Sequence, residues 1–294
     1  MAIFKGAGVA IVTPMKENLS VNYDKLEEII DFQINNGTDA IIIAGTTGES
    51  STLSMEEHRD VIKAAVKFVN KRVPVIAGTG SNCTKTAIQL TTEAEEDGAD
   101  GALIVTPYYN KATQHGLISH YTAIAKETKM PIILYNVPGR TGTNIAPETV
   151  ATLVKNVPNI VGLKDATGNM AQSVKTMTLC DGNLELYSGE DGLVVPLLSI
   201  GGIGVISVIS NIAPKETHDM VMSFLNGDTK KAMEMQLKCS ALVDALFSEV
   251  NPIPVKKAMN LMGMNVGSLR GPLEEMSEGA AKVLEAEMKK FGLL

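Results

Sequence analysis

The sequence predicts a (β/α)8 TIM barrel with a C-terminal helical appendage, on three observations. Eight short β-rich runs are spaced along the 294 residues, helical patterns separate them, and the residues that follow several of the runs are polar. The runs fall at 8–12, 40–43, 73–77, 101–105, 131–135, 160–163, 184–187 and 202–206. They are almost wholly apolar, as strands buried on both faces are. Between them apolar residues repeat at helical spacing. Val61, Ile62, Ala65, Phe68 and Val69 draw one face of such a helix.

Start signals punctuate the helices. Ser54 and Glu57 have capping-box spacing, Asn169 and Gln172 a similar one, and Pro147 with Glu148 suits a first helical turn. A right-handed crossover after each of eight strands favours closure into a barrel over an open doubly wound sheet. Helical patterns at 214–225, 229–247, 254–262 and 273–291 follow the last strand, with Asn251-Pro252-Ile253-Pro254 as a rigid break. One of them completes the barrel. Residues 1–226 are therefore read as the catalytic barrel and 227–294 as a helical region.

Composition narrows the partners. A net charge of −7 argues against nucleic acid and anionic membranes, whose binders concentrate Lys and Arg on one face. Cys83, Cys180 and Cys239 are odd in number and lack C-x-x-C spacing, which fits a reducing cytoplasm rather than a disulfide framework. The N-terminus reads as neither a secretory signal nor a membrane span. His58, His115, His120 and His218 show no metal-binding spacing, and His115 and His120 fall on a helix read as exposed. No nucleophile elbow, P-loop or dinucleotide fingerprint occurs, and Gly201-Gly202-Ile203-Gly204 reads as a tight turn into the last strand.

In a barrel the chemistry sits at the C-terminal ends of the strands. Lys164 follows the apolar run 160–163, and strand alternation places Ile160, Gly162 and Lys164 on one side. If that side is the interior, desolvation lowers the amine's pKa and frees it to attack a ketone. The same placement suits a lysine paired with a carboxylate. Gly45-Thr46-Thr47-Gly48 is either a backbone cradle for a small carboxylate or an ordinary turn. Tyr135 suits proton relay or packing, and Arg140, in Pro138-Gly139-Arg140-Thr141-Gly142, suits a second carboxylate or plain solvation.

Together these motifs resemble the dihydrodipicolinate synthase and N-acetylneuraminate lyase family, from Ala10-Ile11-Val12-Thr13-Pro14 to the segment 251–256. The resemblance implies a cofactor-free lyase whose Schiff-base lysine is Lys164, with Tyr135 shuttling protons and Thr46 and Thr47 holding the carboxylate of pyruvate. It also implies a relay of Tyr135, Thr46 and a Tyr109 donated by a neighbouring subunit, hence a homo-oligomer, in the family's usual form a dimer of dimers. Gly189 and Ile206 match substrate-binding positions. Arg140 within Tyr135-Asn136-Val137-Pro138-Gly139-Arg140 resembles the synthase branch of lysine and diaminopimelate biosynthesis, where the arginine binds the carboxylate of aspartate semialdehyde. Glu190 stands where many synthases carry an aspartate.

Ser51, His58, Asn82 and Tyr108 match positions at which lysine-inhibited relatives bind lysine between subunits. Met55 and Thr86 replace a histidine and a glutamate there. Without that carboxylate the ligand's ammonium loses a contact of order 1.5–3 kcal/mol, so lysine inhibition is expected to be weak or absent. Two other readings compete: a pyruvate-dependent sugar-acid lyase of the same family, and a non-catalytic barrel that binds a small carboxylate.

Overall fold

The structure is a computed structural model that describes residues 2–294. Eight parallel strands close into a barrel in chain order: β1 Gly6–Ala10, β2 Ala40–Ile43, β3 Val75–Gly78, β4 Gly101–Val105, β5 Ile132–Asn136, β6 Ile160–Asp165, β7 Glu185–Ser188 and β8 Gly204–Ser207. β8 pairs back onto β1, with Gly6 opposite Gly204. The helices are α1 Tyr23–Asn35, α2 Met55–Val69, α3 Thr84–Glu96, α4 Gln114–Lys126, α5 Pro138–Thr141, α6 Pro147–Asn156, α7 Met170–Leu179, α8 Val194–Leu198, α9 Pro214–Leu225, α10 Thr229–Leu246, α11 Ile253–Leu261 and α12 Glu278–Phe291. Among the described residues, no helix is long and apolar enough to cross a membrane.

Because side chains alternate along a strand, each strand feeds two cores. Ile42, Ile76, Leu103, Ile133 and Ile206 fill the barrel interior, while Ile41, Ile43, Ala77, Ile104 and Leu134 meet the helices outside. The expected face of α2 is buried against that outer layer through Val61, Ile62, Ala65 and Val69. Its capping box forms as the sequence predicts, with Ser54 and Glu57 each satisfying the other's backbone N–H. Phe4 enters the interior just before β1 and stacks on Tyr187 at 4.5 Å, and the Tyr187 hydroxyl donates to its carbonyl.

Several expected boundaries move, each for a local reason. β1 ends at Ala10 rather than at residue 12 because the Asn211 side chain takes over the N–H of Val12. β3 begins at Val75, after Pro74, which has no N–H to give a ladder. The last helix starts at Glu278 rather than 273, since the stretch 272–277 runs non-helical. Ile160 does not share a side with Lys164. The pairing register shifts between Ile132 and Ile133, opposite Ile160 and Gly162, so Ile160 packs outward while Gly162 approaches Ile133 in the interior. A bulge of this kind changes parity within one strand.

α9 packs on β1 and β8, completing the barrel, and α10 packs on α9 and α12. The segment after α10 turns back to the open end of the barrel. There Lys256, 2 % exposed, pairs with the fully buried side chain of Glu49 at 2.7 Å and donates to Ser268 O. The other oxygen of Glu49 accepts from the Arg270 N–H.

Candidate active site

A cavity of about 450 Å³ opens at the C-terminal ends of the strands. One wall is the loop after β2. The Gly45 carbonyl accepts from Gly48 N and Ser50 N, and the N–H groups of Thr46 and Thr47 are left without a backbone acceptor among the described residues. Both threonines line the cavity. Glu49 leaves the loop with φ of 54°, a left-handed conformation costly for a glutamate, and its buried ion pair with Lys256 holds it there. Asn251 donates from its side chain to Thr47 Oγ1 at 3.0 Å. The C-terminal region thus fixes the loop from behind.

β6 carries Lys164 to the opposite wall, in register with Tyr135 on β5 and Tyr187 on β7. The lysine is 6 % exposed, and its Nζ lies 4.3 Å from the Tyr135 ring centroid. Burial lowers its pKa to about 8, although Asp191 and Glu190 pull it upward. At pH 7 about one amine in ten is then neutral, against about one in three thousand for an unperturbed lysine. Burial pushes the Tyr135 phenol up to about 12, although the Thr46 side chain and the Arg140 charge pull it down. An amine that is readily deprotonated and a protonated phenol therefore face one space. That pairing gives a nucleophile beside a proton donor.

Gly189 makes the packing around the lysine possible. A Cβ there would stand 2.7 Å from the Ala166 Cβ and 3.1 Å from the Lys164 Cε. Asp191 lies behind, 3 % exposed, one oxygen accepting from Val208 N and Ile209 N and the other without a partner. Across the cavity Arg140 donates one N–H to the Asn251 carbonyl at 3.1 Å. The rest of its fork makes no other hydrogen bond among the described residues and is available to an anion.

The structure brings Lys164, Tyr135, Thr46, Thr47, Arg140 and Gly189 around one cavity. Ile206 lies in the interior layer beneath. Tyr109 does not join them: it projects from the loop after β4, 90 % exposed, with φ of 73°. The cavity runs on past Ser51, Met55, His58, Thr86 and Tyr108, whereas Asn82 is not on its wall. His58 donates to Gly78 O through Nε2, and burial lowers its pKa. His120, expected on an exposed face, is instead 6 % exposed, because α4 turns it inward where its Nδ1 meets the Thr84 hydroxyl. Sequence reasoning missed Asn251, Asp191 and the Glu49–Lys256 pair. Only the motif Asn251-Pro252-Ile253-Pro254, read as a break, hinted at the first.

Known proteins share the sequence and the fold along the whole chain. Residues 3–291 match the Dihydrodipicolinate synthetase family. The chain is 63 % identical over 294 residues, 100 % of both chains, to a 4-hydroxy-tetrahydrodipicolinate synthase of Lachnoclostridium phytofermentans. It superposes on a dihydrodipicolinate synthase of Thermotoga maritima with a TM-score of 0.97, at 42 % identity and full coverage of both chains. A chloride-inhibited dihydrodipicolinate synthase of Acinetobacter baumannii, solved in complex with pyruvate, gives 0.96 at 45 % identity over 99 % of each chain. With the barrel, the strand-end motifs and likeness along the full chain in agreement, the protein belongs to the dihydrodipicolinate synthetase family.

Proposed function

We propose that the protein condenses pyruvate with L-aspartate-4-semialdehyde, forming 4-hydroxy-tetrahydrodipicolinate through a Schiff base on Lys164, and that it does so in the cytoplasm. The observation that carries this reading is the buried, pKa-lowered amine beside a protonated phenol and two threonines. The Thr46 and Thr47 N–H and hydroxyl groups suit the ketoacid carboxylate. The Lys164 amine attacks the ketone carbon, water leaves, and an iminium forms. Loss of a methyl proton gives the enamine, whose carbon attacks the semialdehyde held at Arg140. Tyr135 donates its proton to the forming alkoxide. The substrate's amine then displaces Lys164, closing the ring and freeing the enzyme.

The relay of Tyr135 and Thr46 is completed by a Tyr109 from a second copy of the chain. The exposed ring and left-handed backbone of Tyr109 support that reading. A dimer of dimers is the assembly proposed. At the far end of the cavity Met55 and Thr86 offer lysine's ammonium no carboxylate, which supports weak or absent inhibition by lysine.

Condensation with aspartate semialdehyde, measured beside cleavage of N-acetylneuraminate and 2-keto-3-deoxygluconate, tests the reading. Arg140→Ala is expected to weaken kcat/KM for the semialdehyde by about ten- to a hundredfold, the loss of a charged hydrogen-bonded contact, and to leave pyruvate adduct formation in place. Preferential cleavage of a sugar acid by the unaltered protein would assign it to another branch. The pH profile follows from the amine. Since its pKa is lowered to about 8, kcat/KM for pyruvate rises with pH and reaches half its plateau near that value. A profile flat from pH 6 to 9, where about a hundredfold change in the neutral fraction is expected below the pKa, contradicts the assignment.

A further inference from the structure

Arg140, Lys164 and Glu190 are the charged groups on the cavity wall, and Glu190 is its single carboxylate among the described residues. In the reaction proposed above, Lys164 engages the ketone, the threonines hold its carboxylate, and Arg140 holds the carboxylate of the aldehyde. That aldehyde is also an α-amino acid. Its ammonium therefore enters a partly desolvated space, where a charge without a counter-charge is costly.

Glu190 is placed to answer it. Its backbone is pinned, the N–H donating to Ser188 Oγ and the carbonyl accepting from the same hydroxyl and from Leu193 N. The half-buried carboxylate has no hydrogen-bond donor among the described residues, and only the charges of Lys164 and Arg140 favour it. Burial and the neighbouring Asp191 hold its carboxyl above the ordinary range, so an arriving cation relieves a real strain. Asp191 cannot take this role, being buried behind the wall with one oxygen committed to Val208 N and Ile209 N.

We infer that Glu190 binds the α-ammonium of the aldehyde substrate and is the residue that selects an amino-acid aldehyde over its deamino counterpart. The inference rests on the function proposed above and adds the substrate group that this side chain reads. Steady-state kinetics of Glu190→Gln test it, with 4-oxobutanoate, the same aldehyde without an ammonium, as competitor at the aldehyde site. KM for aspartate semialdehyde is expected to rise about tenfold or more, while affinity for 4-oxobutanoate and KM for pyruvate stay within about twofold. Glu190→Asp, which keeps the charge, is expected to recover most of the loss, and it carries the comparison if the glutamine variant fails to form a pyruvate adduct. An unmoved KM, or an equal loss for both aldehydes, overturns the role of Glu190. Absence of a pyruvate adduct in the unaltered protein would instead remove the Schiff-base reading beneath it.

Discussion

Lys164→Ala is expected to fold, to form no borohydride-stable adduct with pyruvate, and to lose condensation by at least about a thousandfold. The size of the effect follows from the site. Among the described residues Lys164 is the only lysine on the cavity wall, so no second amine can take its place. The loss is chemical more than structural, because the Lys164 ammonium makes no ion pair or hydrogen bond among the described residues, and its removal takes from Asp191 and Glu190 only a longer-range attraction. Circular dichroism and thermal melting close to those of the unaltered protein, with activity gone, are the expected pair of results. Residual condensation within about tenfold of the original would show that the lysine is not the nucleophile.

Lys256→Met is expected to have the largest effect on stability. Glu49 is fully buried, and without the ammonium at 2.7 Å its charge keeps only the Arg270 N–H. Breaking one side of a buried pair costs about 3–5 kcal/mol. At about 2 °C per kcal/mol for a chain of this size, the melting temperature falls by about 6–10 °C. Because Glu49 lies two residues after Thr47 at the end of the same loop, KM for pyruvate is expected to rise as well. Adding Glu49→Leu to Lys256→Met should recover much of the stability but not the KM, since the buried charge is gone while the loop has lost its anchor. A melting temperature unchanged in the single variant would show that the pair is not holding the loop.

Why the barrel was readable from the sequence, and parts of its site were not, comes down to range. Strands such as 40–43 and 101–105 announce themselves through local apolar runs, and the capping box at Ser54 and Glu57 is a four-residue signal that forms as read. Gly45 to Gly48 and Arg140 are likewise local motifs at strand ends, where barrel topology directs attention. Ile160 was misplaced because alternation assumes an unbroken ladder, and the register shift opposite Ile132 depends on the neighbouring strand. The burial of His120 is not legible locally because its Thr84 partner lies 36 residues away on another helix. Asn251 and Lys256 act across about 200 residues on Thr47 and Glu49, a separation at which periodicity carries no information. The odd feature of Tyr109 lies in the backbone, whose left-handed turn leaves no mark in composition.

Everything proposed here turns on an amine that a ketoacid can reach while water largely cannot. Incubation of the unaltered protein with pyruvate and borohydride, followed by peptide mass mapping, probes that amine directly. One modified peptide is expected, with the pyruvate-derived mass on Lys164. No adduct, or an adduct spread over surface lysines such as Lys230, which is among the most exposed, would contradict it.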